Sequence, residues 1–364
     1  MKALHFARRR RLLLAALASP LAAYGNVIYP PVTPRPLAFP RDHGAHPEFR
    51  IEWWYLTGWL DREAARTPAA LGFQITFFRL RTDIDPANPS AFAAQQLLIA
   101  HAALADPAHG RLLIDERIAR AGFGNAAAEH DTDVLLDRWY FKRTADGAYE
   151  CATPAREFSL RFTARPTQPR LLQGENGVSS KGPRPKQASY YYSAPHLAVD
   201  MALTRNGAAE RLRGGAWLDH EWSSEYLDPD ASGWDWFGMN LDGGGAMTAF
   251  QFRHRRDGSK LFAYASLREP QQVAPRRFGI DEVTFEPQRH WRSPRTNASF
   301  PVAQRVHVGT RVFETVPLFD DQELDLRASS GLVYWEGASR LRENGRQIGR
   351  GYLELTGYAN PVMP

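Results

Sequence analysis

The chain has 364 residues, of which 43% are hydrophobic and 23% are charged, and this composition excludes an intrinsically disordered protein. The formal net charge is +5, but Lys2 and Arg8–Arg11 lie in the first 25 residues, which contain no acidic residue. The rest of the chain is therefore neutral overall, which removes the electrostatic case for a nucleic-acid partner. Cys151 is the only cysteine, so an internal disulfide is excluded as well.

Residues 1–25 have the pattern of a secretory signal peptide. A basic segment ends at Arg11, an apolar run (LLLAALASPLAA) follows, and small residues occupy the two cleavage-determining positions of Ala23–Gly25. The apolar run is too short to span a bilayer. We therefore predict a periplasmic or secreted protein. The leader suits both the Sec and the twin-arginine route.

The mature chain begins with a proline-rich lead-in, residues 26–47, for which we predict an extended conformation. From residue 48 onward, short segments alternate between apolar and polar residues, as in FRIEWWYLTGWL (49–60) and LGFQITFFRLR (71–81). This alternation predicts β-strands. The alanine-rich residues 111–129 are where we expect the helical turns of the first half. Asp257-Gly258 lies between two alternating runs and predicts a hairpin turn.

Many short strands without a sustained helical period predict an all-β protein built from antiparallel barrels or sandwiches. The roughly 320 residues after the leader are too many for one small barrel, so we predict two antiparallel barrels in tandem. We place the N-terminal barrel at residues 48–225 and the C-terminal barrel at residues 226–364. A small barrel of this kind can enclose one apolar ligand.

The segment from Gly214 to Arg253 contains four of the ten tryptophans, interleaved with acidic residues and one histidine. In a strand, His220 and Trp222 would lie on one face, and Asp219 and Glu221 on the other. A buried charge is costly unless it is paired. These groups therefore need either structural partners or a function.

Acidic side chains interleaved with aromatic rings are compatible with acid catalysis. A carboxylic acid in an apolar pocket has a raised pKa and stays protonated near neutral pH, and aromatic faces stabilise nearby cations. The candidate catalytic residues are Asp219, His220, Glu221 and Asp235. The candidate substrate-binding residues are Trp217, Trp222, Trp234, Trp236, Trp53, Trp54 and Tyr191.

Other interpretations of the same residues stay open. The acids and His220 could instead pair with arginines and backbone amides to hold a barrel corner together. We predict no metal site, because His220 points away from Asp219 and Glu221 in a regular strand. A serine hydrolase is not supported, because no Gly-x-Ser-x-Gly motif is present.

Six motifs spread from Glu52 to Tyr358 resemble the AttH-like / carotenoid 1,2-hydratase family, whose members are often labelled predicted secreted hydrolases. The motifs are EWWYLTGWL, GAWLDHEW, GWDWFGMNL, WRSPRTNASFP, and YWEGASRL with GRGYLELTGY. The resemblance implies two tandem lipocalin-like (calycin-type) barrels. It also implies addition of water to an isolated terminal C=C of an acyclic carotenoid without an organic cofactor.

Within that resemblance, the family would use an acidic residue and a His-x-Trp pair, which His220 and Trp222 match. In the hydratase branch, the strand after the Trp-x-Trp segment is expected to carry a tyrosine and an aspartate. The corresponding residues 247–253 of this chain contain no acid. Two hypotheses follow for the function. The first is a hydratase-like lyase acting on a carotenoid, isoprenoid or lipid with access to the membrane surface. The second is a non-catalytic periplasmic binder of such a molecule, or a transporter accessory factor.

Overall fold

The computed structural model of the protein describes residues 27–62 and 70–362, so the predicted signal peptide lies outside the described residues. Two antiparallel sheets account for most of the described chain. Its only helical element is a 3-10 turn, η1 (Arg41–His43), in the proline-rich lead-in. Within the described part, no helix is long and apolar enough to cross a membrane. The predicted all-β class is confirmed.

The first sheet contains thirteen strands. They are β1 (Ile51–Asp61), β2 (Leu71–Arg81), β3 (Gln96–Ala105), β4 (Leu112–Arg120), β5 (Ala126–Ala127), β6 (Asp133–Leu136), β7 (Trp139–Arg143), β8 (Tyr149–Pro154), β9 (Ser159–Pro166), β10 (Leu171–Leu172), β11 (Val178–Ser180), β12 (Ala188–Arg205) and β13 (Ala208–Glu225).

These strands are arranged in the order β4-β3-β2-β1-β13-β12-β9-β8-β7-β6-β5, with β10 and β11 paired to β12. The sheet curls so that its two ends approach each other. Arg117 of β4 lies 3.9 Å from Asp137, next to the end of β6. Leu113 of β4 and Leu136 of β6 belong to the same apolar core. The result is the first lipocalin-like barrel.

The second sheet contains ten strands. They are β14 (Ala231–Leu241), β15 (Ala246–His254), β16 (Lys260–Arg268), β17 (Arg276–Phe278), β18 (Val283–Arg292), β19 (Ser299–Val308), β20 (Arg311–Pro317), β21 (Glu323–Leu326), β22 (Leu332–Glu343) and β23 (Arg346–Thr356).

The order in this sheet is β17-β16-β15-β14-β23-β22-β20-β19-β18, with β21 paired to β22. Its ends also meet. The Lys260 ammonium on β16 donates a hydrogen bond of 2.8 Å to the Val283 carbonyl on β18. The Phe285 amide on β18 donates one of 3.3 Å to Gln251 Oε1 on β15. The second barrel is thus a separate sheet from the first, and the predicted tandem pair of barrels is confirmed.

The two barrels pack against each other through the outer faces of their central strands. Tyr55 and Trp59 of β1 and Trp217 of β13 form one buried cluster with Trp236 of β14 and Phe250 of β15. The neighbouring residues on each strand point into the barrel cores, as the alternation predicts. Burial of each large aromatic side chain contributes on the order of 2 kcal/mol, so this interface holds the barrels together.

The expectation of helical turns in residues 111–129 is wrong. Residues 112–120 form β4, which pairs with β3 along its whole length. Ladder hydrogen bonds to β3 and burial of Leu112 and Leu113 outweigh the helical preference of alanine. The lead-in packs over one end of the first barrel, where Val32 joins Phe49 and Trp222 in an apolar cluster.

Candidate active site between the barrels

Strand β13 divides the predicted site residues between two places. Its partners across β1 are Trp54 for His220 and Tyr55 for Asp219. His220 points with Trp54 into the first barrel, whereas Asp219 points with Tyr55 toward the second barrel. The histidine and the two acids of the central motif therefore belong to different environments.

Inside the first barrel, His220 belongs to a buried ionic network around Glu52. Glu52 Oε1 accepts hydrogen bonds from His46 Nδ1 (2.7 Å) and His220 Nε2 (2.9 Å). Glu52 Oε2 accepts one from Arg79 Nε (2.8 Å). The second ring nitrogen of His46 lies 3.1 Å from Asp42. The network ties the lead-in to the end of the barrel.

The charges in this network compensate each other. Burial would raise the pKa of Glu52, but His46, Arg79 and His220 together lower it well below its usual value. Burial disfavours the His46 imidazolium, yet Glu52 and Asp42 raise the pKa of His46. Burial lowers the pKa of His220 despite the contact with Glu52. The arrangement is an ion-paired cluster in which the charged form is favoured at His46 and disfavoured at His220.

The ligand atoms of His46, Glu52 and His220 all lie within 4.8 Å of one another, and two imidazoles with one carboxylate form a donor set that zinc accepts. However, both imidazoles already donate to a single carboxylate oxygen, and Arg79 occupies the other oxygen. The atoms that could bind an ion are therefore engaged with one another in this hydrogen-bond network. Sequence spacing missed this cluster, because β1–β13 pairing brings together residues 168 positions apart.

Two of the predicted substrate-binding tryptophans pack within the same network. Trp222 stacks on His46 with ring centroids 3.8 Å apart, and Trp54 stacks on His220 at 4.7 Å. All four rings are buried. Trp54 and Trp222 thus cover imidazoles inside the first barrel and lie on the opposite face of the sheet from Asp219.

Asp235 occupies a third place, inside the second barrel. Its carboxylate contacts Arg253 Nη1 at 2.5 Å and accepts hydrogen bonds from the Tyr358 hydroxyl (2.8 Å) and Gln251 Nε2 (3.2 Å). Burial raises the pKa of Asp235, and Arg253 opposes this rise. With a cation and two further donors, Asp235 has the structural partners that a buried charge requires.

Between the barrels, Asp219 is buried and forms no ion pair with any residue that the structure describes. Its oxygens accept hydrogen bonds from Trp217 Nε1 (2.8 Å) and from the Tyr191 hydroxyl (2.8 Å). The Tyr191 hydroxyl in turn accepts one from Trp236 Nε1 of the second barrel (3.2 Å). Burial raises the pKa of Asp219 to about 7. This carboxyl is thus a weak acid among aromatic rings from both barrels.

Two further carboxyl groups face Asp219 from the second barrel. Glu336 of β22 and Glu354 of β23 are directly opposite each other in the sheet. Glu354 accepts a hydrogen bond from Trp234 Nε1 (2.9 Å), and burial raises its pKa to about 7, with Asp219 and Glu221 adding to the rise. Glu336 accepts one from Tyr55, and burial and Glu354 raise its pKa well above the usual value.

Glu221 is the one carboxyl of this group with a cationic partner in the described structure. Lys181 Nζ lies 2.8 Å from it, and the Ser189 hydroxyl donates to it at 2.5 Å. Among the described residues, none forms an ion pair with Asp219, Glu336 or Glu354. Like charges held this close in a buried site cannot all ionise, so the group retains protons near neutral pH.

The interface is open to solvent along one edge. Trp53 and Tyr226 of the first half and Trp234, Phe262 and Tyr264 of the second are only half-buried there. Farther along the same interface, a cavity of about 300 Å³ has walls that include Thr57, Trp59, Trp217, Asn240 and Arg350. Aromatic side chains of both barrels thus line the open edge, and the cavity lies at a different point along the same interface.

The structure thus brings together one part of the predicted site and separates the rest. The residues at the inter-barrel interface are Asp219, Glu221, Trp217, Trp236, Tyr191, Trp53 and Trp234. His220, Trp54 and Trp222 lie inside the first barrel, and Asp235 lies inside the second. Sequence reasoning missed Glu336 and Glu354, although both are acids within alternating apolar strands, the same signal that singled out Asp219.

Comparison with known families and structures gives a consistent result. The AttH-like family matches residues 30–358. A crystal structure of an AttH protein from Nitrosomonas europaea is 54% identical, with a TM-score of 0.84 over 90% of this chain and 99% of that one. A comparison with curated proteins finds no match.

Two more distant structures have the same fold. Kievitone hydratase from Nectria haematococca is 14% identical, with a TM-score of 0.63 over 92% of this chain and 97% of that one. CghA bound to Sch210972 is 12% identical, with a TM-score of 0.54 over 92% of this chain and 98% of that one. At these identities the likeness concerns the architecture of the two barrels.

Proposed function

The chain belongs to the AttH-like family, and from this premise we propose that it is an exported hydratase-type lyase that adds water to a C=C bond of an isoprenoid or lipid. The neighbour named kievitone hydratase is, by its name, a hydratase on the same fold, which supports the proposal. The main support comes from the interface itself, where Asp219 is buried among aromatic rings and has no ion-pair partner in the described part of the chain.

Hydration of an unactivated alkene needs an acid, a stabilised carbocation and a water molecule. In the proposed reaction, the π electrons of the alkene take the proton of the Asp219 carboxyl and form a new C–H bond. The positive charge on the other carbon is stabilised by the faces of Trp236 and Trp217. Both oxygens of Asp219 accept a hydrogen bond, one from Trp217 Nε1 and one from the Tyr191 hydroxyl, and these contacts hold the carboxyl in place between the barrels.

The second half of the reaction requires a base. A lone pair of water forms the new C–O bond, and the proton that water loses passes to the Glu354 carboxylate. Glu354 is half-buried at the open edge, where solvent reaches it. With pKa values of about 7 for both groups, one can be protonated while the other is ionised. Proton transfer from Glu354 to Asp219 through solvent then restores the starting state.

A non-catalytic binder is the second candidate. The half-buried aromatics along the open edge and the cavity between the barrels would also suit a carrier of an apolar molecule. Such a carrier needs the cleft but not the unpaired carboxyls. Whether the protein chemically changes a bound ligand therefore distinguishes the two candidate functions.

The test is incubation of the mature protein with an acyclic carotenoid in detergent, followed by mass spectrometry. We expect a product heavier by one water, and we expect Asp219→Asn to slow its formation at least about 100-fold, because a general acid contributes roughly that much or more. Asp200→Asn, on the exposed face of the same sheet, is the matched control. Tight binding with unchanged mass would favour the carrier, and full turnover by Asp219→Asn would refute the assigned acid.

A further inference from the structure

The interface between the barrels contains three buried polar atoms that lack a hydrogen-bond partner in the described structure: Thr57 Oγ1, Gln74 Oε1 and Glu336 Oε2. Each of these side chains is only 1% exposed. Buried polar atoms in folded proteins are nearly always hydrogen-bonded, and leaving one unpaired is energetically costly. Three such atoms at one interface make it a candidate site for a polar ligand group.

Strand register brings the three atoms into one region. Thr57 of β1 and Gln74 of β2 are directly opposite each other, and Tyr55 and Thr76 form the next opposed pair on the same face. Tyr55 donates a hydrogen bond to Glu336 from the second barrel. Opposed residues lie about 5 Å apart and same-face neighbours along a strand about 7 Å apart. The register therefore places the three side chains in one region of the interface.

The donors and acceptors of these three side chains specify the chemistry of a polar group that could bind among them. The amide nitrogen of Gln74 is engaged with Thr76, which leaves its carbonyl oxygen as a free acceptor. Glu336 is a donor when protonated, and the Thr57 hydroxyl can donate or accept. An anion is disfavoured, because Glu336 and Glu354 lie at the same interface. A hydroxyl oxygen, which accepts and donates at once, satisfies all three.

We propose that Thr57, Gln74 and Glu336 form a subsite that binds a hydroxyl group, carried either by an amphipathic isoprenoid alcohol or by a water molecule. Burial and Glu354 raise the pKa of Glu336, which keeps it in the donor form. The substrate assignment rests on the proposed function, because the ligand enters the same cleft. Thr57 also borders the cavity of about 300 Å³, which gives the rest of such a molecule space.

The test compares two probes that differ in one hydroxyl group, farnesol and β-farnesene, titrated into the mature protein in the same detergent. Quenching of tryptophan fluorescence reports binding. We expect wild type to bind farnesol at least about 10-fold more tightly than farnesene, because a site built around a hydroxyl discriminates against a ligand that lacks it. Thr57→Val, which keeps the shape of the side chain, and Glu336→Met should each lose most of this preference.

Thr153→Val is the matched control. Thr153 Oγ1 is also buried without a partner, but it lies on β8, away from the second barrel. This variant should keep the wild-type preference. A preference for farnesol that survives unchanged in both Thr57→Val and Glu336→Met would overturn the assignment of these residues.

A high-resolution crystal structure without ligand shows whether the hydroxyl group comes from an isoprenoid alcohol or from a water molecule. If farnesol and farnesene bind equally, an ordered water within about 3.2 Å of at least two of the three atoms supports the proposal with water as the source. Equal binding with no such water overturns it. Neither measurement requires turnover, so absence of hydratase activity would refute the proposed function without affecting this result.

Discussion

Asp219 shows at the scale of a single residue how burial sets a protonation state. The folded protein raises its pKa to about 7 from an ordinary value near 4, so the folded state binds a proton more strongly than the unfolded state. Its contribution to stability is therefore fully present below about pH 4 and is lost as pH rises through 7. An asparagine at this position cannot ionise and does not lose that contribution.

We therefore predict that Asp219→Asn becomes progressively more stable relative to wild type between pH 4 and pH 8. A shift of about three pKa units corresponds to at most about 4 kcal/mol. Urea unfolding of both proteins at pH 4, 6 and 8 measures the effect, and the difference between them removes the contributions of other titrating groups. A pH-independent difference would mean that Asp219 is already ionised and paired in the folded protein.

The sequence predicts the position of such a residue when that position depends only on its neighbours in the chain. The alternation in residues 216–222 correctly separates Asp219 from His220, because neighbouring residues of a strand always face opposite ways. The role of Glu336 could not be predicted in this way. Its environment depends on its pairing with Glu354 in β23 and on its contact with Tyr55, which is 281 residues away.

At the scale of secondary-structure elements, the proline-rich lead-in covers one end of the first barrel. The ionic network around Glu52 holds it there. The composition predicts an extended segment, but it does not predict that His46 reaches Glu52 and Asp42 or that Trp222 stacks on it. These contacts depend on where η1 turns the chain, which proline content alone does not determine. Because a charged histidine holds the lead-in, the stability of this contact should depend on pH.

We predict that His46→Gln destabilises the protein by about 3 kcal/mol, because it removes one partner of a buried charged cluster. The folded protein raises the pKa of His46, so the stabilisation is fully present below about pH 6.5 and is lost as pH rises through the higher folded value. Thermal unfolding should therefore separate variant and wild type at pH 6 and bring them closer at high pH.

Limited proteolysis measures the same change locally, since cleavage between Val32 and Phe49 should accelerate in His46→Gln. His307→Gln is the control, because His307 is half-exposed and 3.4 Å from Glu286. If cleavage of the lead-in in His46→Gln is as slow as in wild type at every pH, His46 does not anchor this segment.

At the scale of the whole molecule, the candidate site exists only where two complete barrels meet. Asp219 and Tyr55 come from the first barrel, and Trp236, Glu336 and Glu354 come from the second. Strand spacing and the family resemblance predict both barrels, but not which faces meet. That choice depends on the aromatic residues on the outer faces of β1, β13, β14 and β15, whose burial requires the partner barrel.

A close contact between the barrels offers a way to move them without altering any site residue. Gly72 lies on the outer face of β2, and a Cβ atom built there would be 2.5 Å from the Tyr352 hydroxyl and 2.6 Å from Ala338 Cβ in the second barrel. A Cβ built on Gly215 of β13 would approach nothing closer than 3.9 Å. The two glycines thus form a matched pair.

We predict that Gly72→Ala destabilises the protein by about 1–3 kcal/mol, the usual effect of overpacking, whereas Gly215→Ala changes stability little. The extra methyl group should push the barrels apart and leave each barrel core intact. Hydrogen exchange should then rise in β1, β2, β22 and β23 but not in β8 or β19, and ligand binding should weaken with the interface. Uniformly faster exchange in both cores would instead mean that the two barrels fold as one unit, whose interface cannot loosen by itself.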